Sequence, residues 1–150
     1  MLRGVNAINL DAKGRMAMPS RYREQLQDSC ERQLVVTVDR ERHLLLYPLP
    51  EWERVERKLL DLPTFDPKAR RLQRLVMGHA TDCEMDGSGR ILLPPVLREF
   101  AAIEKKIVMI GQGNKFEIWD EGRWNALCES YLEEDDDENI DTASWGGISL

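Results

Sequence analysis

The residues best placed to do chemistry in this chain are written twice. Asp11-Ala12-Lys13-Gly14-Arg15 recurs as Asp86-Gly87-Ser88-Gly89-Arg90. Each lies in a longer match, residues 10–19 and 85–94, that reads apolar, Asp, two residues, Gly, Arg, three apolar residues, Pro. At the same offset Arg23-Glu24 matches Arg98-Glu99. Two copies suggest a duplicated domain rather than a solenoid. Asp favours turn entry, and Gly14 and Gly89 can take φ > 0 without penalty. Asp11 and Asp86 can each hold the nearby Arg in a defined pose, which lowers the ordering cost on binding. The Arg fork can meet guanine O6 and N7 together, whereas Lys13 is a point charge suited to a phosphate. A two-stranded ribbon also fits the major groove. The residues alone leave two readings open: turn salt bridges that fix a hairpin, or a surface that reads nucleic acid.

Charge is unevenly spread. The net charge is −6, but residues 121–150 hold nine acids and one base. Residues 1–120 hold 20 bases and 18 acids, a body of about +2. Such asymmetry points to a nucleic-acid partner or an acidic tail. Residues 1–25 are locally basic through Arg3, Lys13, Arg15, Arg21 and Arg23. No apolar run reaches the roughly 18 residues needed to cross a bilayer, and the N-terminus lacks a signal-peptide h-region, so a cytosolic protein is expected.

Other chemistries find little support. His43 and His79 are the two histidines, each in or beside an expected strand. No G-x-S-x-G, Walker A, H-E-x-x-H or G-x-G-x-x-G motif occurs. His79, Cys83, Glu84 and Asp86 include metal-ligand types, but no second His/Cys cluster completes a set of four. Cys30, Cys83 and Cys128 suggest no disulfide framework. The expectation is a protein that is not an enzyme and needs no metal, cofactor or small-molecule substrate.

The elements that must hold the two turns follow the same duplication. Strands are expected at 5–10 and 15–18, making a hairpin about the first turn and ended by Pro19. A short helix follows at 21–27, then strands at 34–38 and 43–47, then a helix at 51–60. Residues 80–85 and 90–93 form the second hairpin, with a helix at 95–101, strands at 107–110 and 115–119, and a helix at 121–131. Between the halves, 68–77 reads as one helix with a basic face of Lys68, Arg70, Arg71 and Arg74, closed by Gly78 as a C′ glycine. The expected organisation is a first half at 1–62, a linker and basic helix at 63–77, a second half at 78–134, and an acidic, mobile tail at 135–150.

The opening Arg3-Gly4…Leu10-Asp11-x-Lys13-Gly14-Arg15…Pro19-x-Arg21-Tyr22-Arg23 resembles the start of the MraZ family of bacterial transcription regulators. So do Leu44–Trp52, Arg74-Leu75-x-x-Gly78-His79-Ala80, Met85–Arg90 and Asn114–Trp119. The likeness runs from residue 1 to about 130. It implies a mixed α+β, β-rich fold: a duplicated AbrB-like swapped-hairpin β-barrel with flanking helices and a pseudo-two-fold axis. It also implies sequence-specific binding to double-stranded promoter DNA, at short repeated boxes ahead of a division and cell-wall gene cluster. Ring-like homo-oligomers and a nucleoid location go with that role. The DNA-contacting residues would be Arg15, Arg90, Lys13 and Arg3, with Asp11, Asp86, Gly14 and Gly89 shaping the motifs. A self-assembling module whose main partner is another protein is the alternative.

Overall fold

The computed structural model describes residues 1–133 and 145–148. In chain order its elements are β1 (Leu2–Asn9), β2 (Arg15–Ala17), α1 (Ser20–Cys30), β3 (Gln33–Val38), β4 (Leu44–Pro48), α2 (Leu49–Leu60) and α3 (Pro67–Leu72). A π-helical turn (Gln73–Met77) leads to β5 (Thr81–Glu84), β6 (Arg90–Leu92), α4 (Pro95–Phe100), β7 (Lys106–Gly113), β8 (Phe116–Asp120) and α5 (Glu121–Glu133). Most of the expected acidic tail at 135–150 lies outside the described residues.

Six strands form one antiparallel sheet in the order β1-β7-β8-β4-β3-β5, and β2 pairs with β6 in a separate ribbon. The order is its own mirror under the duplication: β1 answers β5, β3 answers β7, and β4 answers β8. The two hairpins expected from local sequence do not form. β1 runs along β7 from Leu2↔Gly113 to Asn9↔Lys106, β2 pairs with β6, and β5 pairs with β3. Each turn does close, with Asp11 N–H donating to Arg15 C=O and Asp86 N–H to Arg90 C=O at 2.9 Å. Beyond that bond the two arms part, because each finds a longer or better-buried partner in the other half. Exchange between halves is what the family resemblance implied, and it displaces the local pairing.

The main core lies between the sheet and the ribbon, with α1 and α4 at its sides. Met16 and Ile91, central on β2 and β6, are 0% and 1% exposed and face Leu34, Val36, Leu46, Met109 and Phe116. β3 is buried on both faces from Leu34 to Val38. Leu34, Val36 and Val38 join this core, while Val35 faces the opposite side of the sheet with Leu45, Tyr47 and Trp52. There α2 and the π-helical turn cover the sheet through Leu59 and Val76. α5 sits over Val108, Ile110 and Trp119, with Trp124 and Leu127 packed against them.

The helix expected at 68–77 changes character midway. Asp66 caps α3 through Lys68 N–H at 2.9 Å. From Gln73 the chain widens into the π-helical turn, and Gly78 N–H reaches Gln73 C=O. Gly78 is right-handed at φ −63°, not the left-handed C′ residue expected. Space selects glycine here, since a Cβ would run into the Arg74 carbonyl oxygen.

The glycines of the two turns carry a double constraint. Gly14 and Gly89 take φ of +83° and +77°, which L side chains rarely adopt. A Cβ on Gly14 would also lie 2.6 Å from Arg98 Cζ, and one on Gly89 2.7 Å from Arg23 Cζ. Each turn is therefore packed by an arginine from the other half. Gly14→Ala and Gly89→Ala should each cost about 1–3 kcal/mol of stability. Gly87→Ala, with open space around it, should stay within about 0.5 kcal/mol. Urea denaturation checks all three, and equal costs across the set would contradict the packing.

Candidate nucleic-acid interface

Both turns are built around a carboxylate. Asp11 Oδ1 accepts from the N–H groups of Lys13 and Arg15, each at 2.9 Å, and Oδ2 accepts from Arg15 Nε at 2.8 Å. Asp86 repeats this on Ser88 N–H and Arg90 N–H at 2.9 Å, with Arg90 Nε at 3.3 Å. One carboxylate thus fixes the backbone of the turn and the pose of the guanidinium together. The Arg15 main-chain N–H, helped by the Arg15 side chain and Lys13 N–H, holds the Asp11 carboxyl down to about 2. The Arg90 N–H lowers Asp86 in the same way. At neutral pH both carboxylates are ionised.

The consequence for the arginines is specific. Nε is engaged by the aspartate, and among the described residues the Nη nitrogens of Arg15 and Arg90 make no hydrogen bond. Both side chains are about a third exposed, 29% and 37%. What remains free is the pair of Nη groups, the end that can form a bidentate bond to a base edge or a phosphate.

The ribbon sets the two arginines relative to each other. Arg15 pairs with Leu92, Met16 with Ile91 and Ala17 with Arg90. With Met16 and Ile91 facing the core, alternation puts Arg15, Ala17, Arg90 and Leu92 on the outer face. On standard strand spacings the arginine Cα atoms lie about 8 Å apart on the diagonal. Each strand exits into the opposite turn: Met18 N–H donates to Gly89 C=O at 2.8 Å and Leu93 N–H to Gly14 C=O at 3.0 Å. The turns therefore stand at the two ends of one short ribbon.

Arg23 and Arg98 lock this arrangement. Arg23 Nε donates to Met18 C=O at 2.7 Å and Arg98 Nε to Leu93 C=O at 2.9 Å, each lying against the other half's turn glycine. By sequence Arg23 and Arg98 are a matched pair, with Arg23 counted among the basic residues of 1–25, and their packing across the halves is visible only in the fold. Their equal offset was the signal.

Lys13 is exposed on the first turn beside Arg15. Arg3 is not with them. It stands at the start of β1 opposite Gln112, and from there to Asn9 is about 20 Å of strand. Arg21, grouped with Arg3 by charge, packs on Tyr22 and donates to Asn6 Oδ1 at 2.7 Å. Sequence proximity brought Arg3 and Arg21 into the basic cluster; β1 carries Arg3 away from the turn, and Arg21, on α1, is turned toward Asn6 of that strand.

The histidines serve packing. His43 is buried and stacked on Trp119 at 4.3 Å, and burial lowers its pKa despite Glu117 and Asp39 nearby. His79 Nδ1 lies 2.7 Å from Leu75 C=O. Burial, with Asp82 beside it, pushes the Cys83 thiol up to about 12.

A duplicated, strand-exchanged barrel with one Asp–Arg turn in each half defines an AbrB-like swapped-hairpin protein. The chain matches the family described as "MraZ protein, putative antitoxin-like" over residues 1–75 and 76–144. It is 55% identical over 150 residues to a protein of Thioalkalivibrio sulfidiphilus named Transcriptional regulator MraZ, with all of both chains covered. A protein of that name from Methylococcus capsulatus is 59% identical over 134 residues, 89% of this chain and 88% of its own. One from Pseudomonas aeruginosa is 56% identical over 133 residues, 88% of each chain. The chain belongs to the MraZ family.

The carboxylate geometry has a measurable signature. Because the Asp11 pKa is depressed from 3.8 to about 2, its stabilising contribution is present above pH 3.8 and lost as pH falls toward 2. A carbon-13 NMR titration should place the Asp11 midpoint near 2. In Arg15→Ala the main-chain N–H remains, so the midpoint should rise yet stay below 3.8. A midpoint at 3.8 in that variant would make the guanidinium, not the backbone, the main cause.

Proposed function

We infer that this protein is a sequence-specific DNA-binding transcriptional regulator whose outer β2–β6 face enters the major groove. The observation that carries the reading is the free Nη pair on each motif arginine, held by an aspartate that occupies Nε. Arg15 and Arg90 contact base edges, with guanine O6 and N7 as the natural partners of a bidentate fork. Lys13 neutralises a phosphate beside the first turn. Asp11, Asp86, Gly14 and Gly89 hold the turns in shape. Arg3, at the far end of β1, meets the backbone only if the duplex continues along that edge.

Relatives named as transcriptional regulators support the reading. The target we infer is a set of short repeated boxes in the promoter of the protein's own division and cell-wall gene cluster. One ribbon offers few contacts, so a single module binds weakly. A ring-like homo-oligomer engaging several boxes gains avidity by about 10²–10⁴ through effective concentration. This also reconciles DNA binding with a net charge of −6, since the local field at the reading face governs encounter.

Removing one bidentate contact costs about 1–3 kcal/mol, or roughly 5- to 150-fold in affinity. Arg15→Ala should show a loss in that range on the upstream duplex, measured by fluorescence anisotropy against a scrambled duplex, with fold and oligomeric state unchanged. Arg90→Ala should lose less, because its bond to Asp86 is looser and Ser88 replaces Lys13. Lys13→Ala should weaken specific and scrambled DNA alike and lower the salt slope by about 1. Unchanged affinity in Arg15→Ala across salt concentrations contradicts the assignment.

A further inference from the structure

The outer face of the ribbon holds four side chains, and the two motifs account for only two. Arg15 lies opposite Leu92, and Arg90 lies opposite Ala17. Ala17 and Leu92 hold equivalent places in the duplicated halves, each two residues beyond its motif arginine. One is a methyl group and the other a full isobutyl group. Leu92 is 49% exposed and joins none of the three buried clusters. Scattered exposed leucines are ordinary; this one is fixed by strand register beside the free fork of Arg15.

Directly opposed residues place their Cβ atoms about 4.5–5.5 Å apart. Base pairs stack about 3.4 Å apart, so Arg15 and Leu92 address neighbouring or next-neighbouring pairs along the same groove. The major groove offers an aliphatic side chain one partner, the thymine C5-methyl. Ala17 stops short of where the longer Leu92 reaches. We propose that Leu92 is a specificity residue that reads a thymine methyl within two base pairs of the guanine met by Arg15. The Leu92/Ala17 difference then gives the pseudo-symmetric ribbon a direction on DNA. The proposal rests on the DNA-binding reading above.

The test uses the full-length protein and the duplex immediately upstream of its own coding sequence. Thymines are replaced one at a time by deoxyuridine, which lacks only the methyl. Wild type should lose about three- to fivefold at one thymine position per box, the worth of one buried methyl group. Leu92→Ala should bind thymine and uracil versions of that position within about twofold of each other while still preferring the box over scrambled DNA. Ala17→Leu should create a new uracil-sensitive position on the Arg90 side. Three outcomes overturn the proposal: wild type indifferent to every substitution, Leu92→Ala keeping the wild-type thymine-to-uracil ratio, or the sensitive position lying more than two pairs from a guanine that Arg15→Ala ceases to distinguish. The first needs no variant, so a folding defect cannot mask it. Failure of wild type to prefer the thymine duplex over scrambled DNA is a separate result, and it sinks the DNA-binding reading itself.

Discussion

Everything at the proposed reading surface hangs on a carboxylate that accepts three hydrogen bonds. Asp11 takes two backbone N–H groups and one guanidinium N–H, and Asp86 does the same in the second half. Backbone bonds of this kind fix a turn, and charge-assisted bonds fix a side chain. Combining them on one group means that the shape of the turn and the direction of the arginine cannot vary independently. The motif spacing follows from this. Residue 13 or 88 and residue 15 or 90 must both turn inward to one carboxylate, and the glycine between them supplies the left-handed step that allows it.

The second constraint is exchange. No strand of either turn pairs with its own neighbour, so each turn, though closed by its own bonds, is packed and extended only by the other half of the chain. Met18 bonds Gly89 and Leu93 bonds Gly14, while Arg23 and Arg98 pack across. A shift in one turn is felt at the other through a few direct contacts. The six-stranded sheet supplies the rigid base, with its inner face packed on Met16 and Ile91 beneath the two arginines. Interactions made on a preorganised surface lose less to ordering when a partner binds.

Much of this was legible in the residues. The period-2 pattern and the Asp and Gly positions located strands and turns within a few residues, and the duplication announced the pseudo-two-fold. Pairing was not legible, because alternation says which face of a strand is buried but not which strand lies beside it. That is why β1 and β2 read as a hairpin. The Gly78 reading failed for a related reason: glycine can answer a demand for space as well as for positive φ, and the Arg74 carbonyl lies outside any local pattern. Arg3 looked close to the first turn only because charge clusters in sequence ignore the length of a paired strand. Arg23 and Arg98 left a trace in their common offset, yet their contact crosses the halves and needed the fold to become visible. His43, placed by sequence in or beside a strand, lies just ahead of β4 and is buried against Trp119.

The two motifs are alike in plan and unlike in detail. Lys13 against Ser88, 2.8 Å against 3.3 Å at the ion pair, and Ala17 against Leu92 all break the symmetry at the outer face. A symmetric scaffold thus carries an asymmetric surface. The central claim is that the Nη fork of Arg15 meets a guanine in the major groove. Methylation interference on the upstream duplex tests it most directly, because dimethyl sulfate places a methyl on guanine N7 in the major groove and on adenine N3 in the minor groove. The account predicts that N7-methylated guanines at regular positions are excluded from wild-type complexes, that minor-groove methylation is tolerated, and that Arg15→Ala relaxes the exclusion. Complexes that accept N7-methylated guanine throughout would contradict it.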